Sequence, residues 1–416
     1  MVEKIKVMLF KLLRKSEKYT KTDMVYLAKG GFWLGMSKMV SAGSAFLLAL
    51  AFANLLPQEE YGTYKFIFSI VSILIISSMP GINTALTQAV ARGFEGSILT
   101  SVKTKIKWST LGALGSLAIA AYYYINNDPT LTYAFLIAAI FLPFIDSFNV
   151  YEPYLQGRKM FKQSAILSSI LQSTTVLSMI AFLFFTNNVI LVVAAHFVMY
   201  TLIKYIFYLF VTKKYKPNNK IDPGSVSYGR HLSFINVIGT IGGQIDKILL
   251  WHFLGAASLA VYAFALAPVD QFRSMLKSLN ILAFPKLAAQ DTAVLKKTIP
   301  QKMLKLFLLL IIPVTAYILL APYLYKIFFP LYAESVEYTR WYALFLLKFP
   351  TNLMGQTLTA KKQQRTQYKL KIINLITKIT LFLVLTPIFG IHGAIATLLI
   401  APVINSILVA YHFYKL

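Results

Sequence analysis

Five charged side chains, Asp246, Lys247, Asp270, Arg273 and Lys277, fall inside two adjoining apolar stretches, 231–253 and 258–284. A charge at mid-bilayer depth costs about 2.5 kcal/mol or more on insertion scales, so each one there needs a reason. Arg273 is the hardest to explain as decoration. It lies about 14 residues into its stretch, about 20 Å deep at a rise of about 1.5 Å per residue. A guanidinium is never neutral in a protein, so it must meet water, a carboxylate or an anion. Asp270 lies three residues before it and Lys277 four after, and that spacing puts all three on one helical face. Asp270 and Arg273 pairing with each other would be the plain outcome. The cationic excess left by Lys277 predicts a wet cavity that attracts anions.

Other candidates are graded by depth. Lys38 sits about 10 Å into the first apolar stretch and Lys247 about 9 Å into the seventh, counted at about 1.5 Å per residue. Either is an anion-holding residue or a lysine that snorkels to the interface, as is Lys65 at the edge of the second. Asp146, Asp246 and Asp270 are candidates for a titrating proton or cation site, unless each simply pairs with a base. Lys348, Asn352 and Gln356 form a polar stripe at i, i+4 and i+8, and Asn374 and Lys378 form a shorter one. Such stripes line a passage or bond one helix to another, and interhelical bonding is the expectation.

What these residues exclude is as useful. There is no cysteine, and the five histidines are scattered, so neither thiolate chemistry nor a metal cluster is expected. No Gly-x-x-x-x-Gly-Lys-Ser/Thr loop is present for ATP hydrolysis. No catalytic grouping or cofactor motif appears, and the chain is not expected to be an enzyme.

The elements that must position these charges follow from composition. Of 416 residues, 57% are hydrophobic and 13% charged, against about 25% charged in a soluble domain. The sequence predicts an all-α polytopic membrane protein. Twelve stretches approach the roughly 20 residues that span a bilayer: 31–54, 66–89, 108–126, 131–155, 164–185, 189–211, 231–253, 258–284, 303–324, 336–359, 370–388 and 392–413. Pro80-Gly81 and Pro350 fall within two of them as tolerated breaks or hinges. Net charge is +26, from 41 Lys and Arg against 15 Asp and Glu. These bases lie mainly in alternate connections, including Lys103, Lys105 and Lys107, so the positive-inside rule explains them better than nucleic acid does. Both termini are thereby predicted to be cytoplasmic. Residues 1–27 read as a basic amphipathic helix on an anionic leaflet. Residues 28–211 then form one six-span lobe, 212–230 a cytoplasmic linker and 231–416 a second lobe. The segments Leu56-Pro-Gln-Glu-Glu-Tyr-Gly-Thr-Tyr64 and Leu254-Gly-Ala-Ala-Ser-Leu-Ala-Val-Tyr262 echo each other across the two lobes, as in parallel transporter repeats.

The sequence resembles the polysaccharide transporter family, which includes the Wzx-type O-antigen flippases, within the multidrug/oligosaccharidyl-lipid/polysaccharide (MOP) flippase superfamily. The likeness is carried by the stretch Gln244-Ile-Asp-Lys247 through Tyr262, by Ala283-Phe-Pro-Lys-Leu287, by Leu56-Pro-Gln-Glu-Glu-Tyr-Gly62 and by Pro80-Gly-Ile-Asn83. It implies two six-helix lobes around a central cavity lined by spans one, two, seven and eight, where Lys38, Lys65, Lys247, Arg273 and Lys277 sit. It also implies a bacterial cytoplasmic-membrane flippase for undecaprenyl-pyrophosphate-linked oligosaccharide, an O-antigen, lipopolysaccharide or capsule repeat unit. The pyrophosphate would be held by those bases. A monomer among membrane lipids is implied, with a polysaccharide polymerase and chain-length machinery as neighbours. A cation-coupled drug antiporter of the same superfamily and a membrane-embedded polymerase are the rival functions. A cationic cavity argues against cationic drugs, and no outer loop is long enough for a polymerase site.

Overall fold

The computed structural model describes residues 24–361 and 363–416; side chains 24–30, 235, 277–286, 288, 289 and 364 lie outside what is described. The expected interfacial helix over 1–27 therefore falls almost wholly outside the described residues, and so does the side chain of Lys277.

All secondary structure among the described residues is helical. In chain order the helices are α1 (Met24–Leu55), α2 (Gln58–Leu74), α3 (Gly81–Ala91), α4 (Ser97–Ile125), α5 (Pro129–Ile145), α6 (Tyr151–Gly157) and α7 (Phe161–Leu183). They continue with α8 (Val189–Tyr215), α9 (Ser225–Ala289), α10 (Thr292–Phe328), α11 (Ser335–Ala343), α12 (Asn352–Ala360) and α13 (Gln364–Tyr414). Eight helical stretches among the described residues are long and apolar enough to cross a membrane. Two of these, Ser225–Leu276 and Arg365–Tyr414, run 52 and 50 residues. At about 1.5 Å per residue each is more than twice a hydrocarbon core of about 30 Å. Each contains one break, at Gly255 (φ 79°) and Gly390 (φ 58°). A Cβ is strained at such positive φ, so glycine is what lets the helix break there without a loop. The small uncharged turn expected between 253 and 258 is this break.

Local chemistry sets the other ends. Asp128 accepts the Leu131 N–H at 2.9 Å, with Pro129 pre-set at the first position of α5. Asn188 caps α8 through the Ile190 N–H at 2.8 Å. Three spans are interrupted. A 3₁₀ turn over Ile75–Ser78 and a left-handed Met79 precede Pro80 between α2 and α3. A 3₁₀ turn over Ser147–Val150 links α5 to α6, and another over Leu344–Thr351, carrying Pro350, links α11 to α12. The prolines and the left-handed residue account for these breaks.

The largest buried cluster joins the two halves of the chain. Phe52, Tyr61, Tyr64, Phe66 and Ile67 from the first pack with Leu250, Tyr262, Phe264, Tyr325 and Tyr332 from the second. Phe66 stacks on Trp251 at 4.4 Å, and Phe264 meets Tyr61 at 4.7 Å and Tyr332 at 3.9 Å. Phe46 touches Phe328 at 5.4 Å. This aromatic seam lies at the end of the molecule where α1 meets α2 and where α9 breaks. A Cβ on Gly62 would run into the carbonyl of Ala256, so α2 and the turn of α9 touch backbone to backbone. Gly62→Val should cost about 1–3 kcal/mol because neither backbone can yield. A fall of several degrees in the melting temperature of the detergent-solubilised protein is expected, and an unchanged value would mean the seam is loose.

Candidate functional site

Below the aromatic seam, α1, α2, α7, α9 and α10 enclose a cavity of about 610 Å³. Its wall is mostly apolar and aromatic, with Phe52, Tyr61, Tyr64 and Phe264 under the seam and Lys65, Gln172, Asp270 and Gln271 as its polar groups. Lys65 lies 5.1 Å above the Tyr61 ring, and no carboxylate among the described residues is in ion-pair range of it.

Lys65 is the one candidate cation among the described residues that lines this cavity; Lys247 and Arg273 lie beside it, linked to it through Lys65 and Asp270. Lys247 bonds Gln244 Oε1 at 2.9 Å and is within electrostatic reach of Lys65, Asp246, Asp270 and Lys378. Arg273 reaches Asp270 at 3.4 Å, and both side chains keep 39% and 47% of their surface exposed. The pair is thus neither dry nor tight. Asp270 also accepts a hydrogen bond from the Tyr342 hydroxyl at 3.1 Å. The Arg273 guanidinium lies 4.8 Å over the Phe345 ring, and Lys348 lies 6.0 Å from the same ring. Lys65, Lys247, Arg273 and Lys348 therefore outnumber the acid among them, Asp270, which is already shared between Arg273 and the Tyr342 hydroxyl. Such a set of cations beside low-dielectric walls is arranged to receive an anion.

The other two acids are engaged. Asp146 accepts from Lys105 Nζ at 2.7 Å and from the Ser78 hydroxyl at 2.6 Å. Asp246 accepts from Lys378 Nζ at 3.2 Å and from the Tyr262 hydroxyl at 2.8 Å. Both were candidates for a titrating ion site, and each is paired with a lysine on another helix. Lys38 is apart from these cations. It lines a pocket of about 260 Å³ in the first half with Ser37, Asn149, Glu152, Ser168 and Gln172. Gln172 also lines the central cavity, so the two spaces adjoin.

Three placements differ from the reading of the sequence. Lys105 is not a loop charge: α4 begins at Ser97, and Lys105 is fully buried within it. Lys is a good helix former, and an acid at matching depth in the neighbouring helix neutralises this one. Lys204, on α8, was not singled out. It is buried, donates to the Ile145 carbonyl at 2.9 Å and lies 4.1 Å over the Tyr200 ring. The signal for both was Asp146, one acid in an apolar span with no base nearby in sequence. Finally, the stripe Lys348, Asn352 and Gln356 does not bond across helices as expected but lines a pocket with Asn374.

A bundle of interrupted apolar helices around a mostly apolar cavity with a few polar groups defines a polytopic membrane protein. Residues 27–290 match the polysaccharide biosynthesis protein family, and the chain belongs to that family. An uncharacterized membrane protein of Methanocaldococcus jannaschii is 24% identical over 410 residues, covering 89% of this chain and 80% of the relative. The fold is shared with MOP superfamily transporters. An inward-facing multidrug resistance MATE transporter superposes with TM-score 0.68 at 12% identity, covering 90% of this chain and 94% of its own. The lipid II flippase MurJ, in an inward closed conformation, gives 0.60 at 14%, covering 92% and 87%. A MOP transporter from Pyrococcus furiosus, described by the reversed polarity of its binding pocket, gives 0.56 at 14%, covering 93% and 95%.

Proposed function

We propose that this protein is a flippase that carries a lipid-linked oligosaccharide, of the undecaprenyl-pyrophosphate type, across the cytoplasmic membrane by alternating access. The observation that carries this reading is the excess of bases beside the cavity between the halves: Lys65 in its lining and Lys247 and Arg273 near it, against Asp270, which is paired with Arg273. A pyrophosphate offers several oxyanions within a few ångströms, and charge-assisted bonds to guanidinium and ammonium groups are about twice as strong as neutral ones. Sugars would ride in the wet part of the cavity while the polyprenyl tail stays in lipid. No bond in the substrate is broken. The reading takes the Gly255 and Gly390 breaks as membrane reversals, which with α4 and the pair α11–α12 makes twelve spans. It also places both termini in the cytoplasm and the aromatic seam on the outer side. The pocket polarity that marks the Pyrococcus furiosus transporter as different in function supports reading cargo from lining charge here.

An antiporter of cationic drugs would need free acids, whereas Asp146 and Asp246 are held by lysines and Asp270 is paired with Arg273. The test is translocation in reconstituted vesicles. A polyprenyl-pyrophosphate-linked oligosaccharide should cross faster than in protein-free vesicles and emerge with unchanged mass. Equal rates with and without protein would end the proposal, and a change in mass would turn it into an enzyme.

A further inference from the structure

The pocket of about 260 Å³ inside the first half holds one charge of each sign. On one wall α1 contributes Ser37, Lys38 and Ser41. Facing them, the 3₁₀ turn before α6 contributes Asn149 and α6 contributes Glu152. Of the twelve lining residues only Leu34, Ala165 and Leu171 are aliphatic, so this is a polar space. Opposite charges that share a small pocket attract, and an ion pair across it would be the ordinary outcome. Among the described residues no ion pair joins Lys38 to Glu152. Glu152 instead accepts from Gln156 Nε2 at 3.2 Å. Lys38 is exposed and Glu152 half-buried, so an occupant can reach both. The two walls also differ in kind. The α1 wall offers an ammonium and two hydroxyls one turn apart, which is a donor set. Asn149 and Glu152, three residues apart, offer an amide oxygen and a carboxylate as acceptors.

We propose that this pocket binds a zwitterionic phosphoethanolamine group, with its phosphate on Lys38 and the α1 hydroxyls and its ammonium on Glu152 and Asn149. A lone anion such as a pyrophosphate would meet Glu152 as a like charge, and a lone cation would meet Lys38. A neutral sugar would leave both charges unanswered. A ligand with one charge at each end answers both, and charge-assisted bonds at the two ends make it stronger than either half. The place on the helix fits the same chemistry. Lys38 is 17 residues before the end of α1 at the aromatic seam, about 25 Å along a hydrocarbon core of about 30 Å. Five residues earlier, the Trp33 ring carries the Lys162 ammonium at 5.1 Å, the kind of aromatic and basic pairing found where a membrane meets water. The group is therefore carried either by a lipid headgroup or by a soluble molecule. Nothing in this assignment depends on the flippase reading.

The experiment is calorimetric titration of the purified full-length protein in detergent with phosphoethanolamine, ethanolamine and inorganic phosphate. Phosphoethanolamine should bind about tenfold more tightly than either half alone, and Lys38→Gln and Glu152→Gln should each lose about tenfold. The exchanged variant Lys38→Glu/Glu152→Lys keeps one charge of each sign and should bind phosphoethanolamine better than Lys38→Glu alone. Equal binding of phosphate or ethanolamine, or affinities unchanged in every variant, would overturn the proposal. If the variants unfold, the order of the three ligands on the wild-type protein decides. A second arm separates the sources. The protein is extracted from vesicles of equal phosphatidylethanolamine and phosphatidylglycerol, and the lipid it retains is weighed by mass spectrometry. Phosphatidylethanolamine enriched on the wild type and not on Glu152→Gln makes the ligand a lipid headgroup. Equal retention on both, with phosphoethanolamine still bound in the titration, makes it a soluble molecule. Neither enrichment nor titration binding would end the proposal. Translocation of lipid-linked oligosaccharide is measured separately, so either reading can fall while the other stands.

Discussion

Replacing Arg273 by alanine is expected to abolish transport of the lipid-linked substrate while leaving the protein folded in the membrane. The side chain contributes little to packing that alanine would forfeit: it is 39% exposed and leans on one carboxylate at 3.4 Å. Removing it would leave Asp270 free to repel an incoming anion, so the variant should lose an attraction and gain a repulsion together. A hydrogen bond to a charged group is worth about 1.5–3 kcal/mol, which alone is about ten- to a hundredfold in a binding constant. The unpaired Asp270 should carry the loss to the upper end. Arg273→Lys should recover part of the activity, since a point charge replaces a planar fork. Asp270→Asn in the Arg273→Ala background should also recover part, because it removes the repulsion. The checks are vesicle translocation rates normalised to folded protein. Wild-type rates for Arg273→Ala would reduce this arginine to a packing residue.

The depth argument picked out Arg273 without any structure, because apolar flanks fix depth and depth prices charge; it left Lys65 as an edge lysine free to snorkel, although Lys65 lines the central cavity. It did not find where each charge points. Lys38 and Lys247 have nearly the same depth, yet one lines a pocket inside the first half and the other lies beside the central cavity. Helical position around the axis decides that, and an all-round apolar span carries no periodicity from which to read it. The same blindness hid the pairings. Lys105 reads as one more loop base between Lys103 and Lys107, but on a helix residues two apart face different ways, and Lys105 alone turns inward. The apolar stretches were legible as helices, and the break at Gly255 was legible from its small, uncharged flanks. The second glycine break, at Gly390, lies where a two-span reading had already left a gap between 388 and 392. The interruptions at Met79 and Pro350 were visible only as Pro and Gly letters, since a proline marks where a hydrogen bond is lost but not what replaces it.

The buried group around Asp146 should show the largest effect on folding. Lys105 is fully buried, its ammonium bonded to Asp146 at 2.7 Å and to Asn83 Oδ1 at 3.0 Å. Lys204 is buried close enough to act on the same carboxylate. One acid therefore compensates two cations. Asp146→Leu would strand both, and breaking a buried pair by removing one partner costs about 3–5 kcal/mol. Against a typical stability of about 5–15 kcal/mol, that is enough to empty the membrane of folded protein. Lys105→Met should be milder, because Lys204 remains to hold Asp146. The double variant Asp146→Leu/Lys105→Met should be more stable than Asp146→Leu alone, since only Lys204 is then stranded. Melting temperatures of fluorescent fusions in detergent give the cycle directly. If Asp146→Leu melts like the wild type and yet loses a pH-gradient dependence that the wild type shows, Asp146 is a proton-coupling residue and its pairing with Lys105 is the resting state of that coupling. A lower melting temperature rescued by Lys105→Met makes the pair a structural clamp, holding α4 against the break between α5 and α6 so that the first half can move as one body.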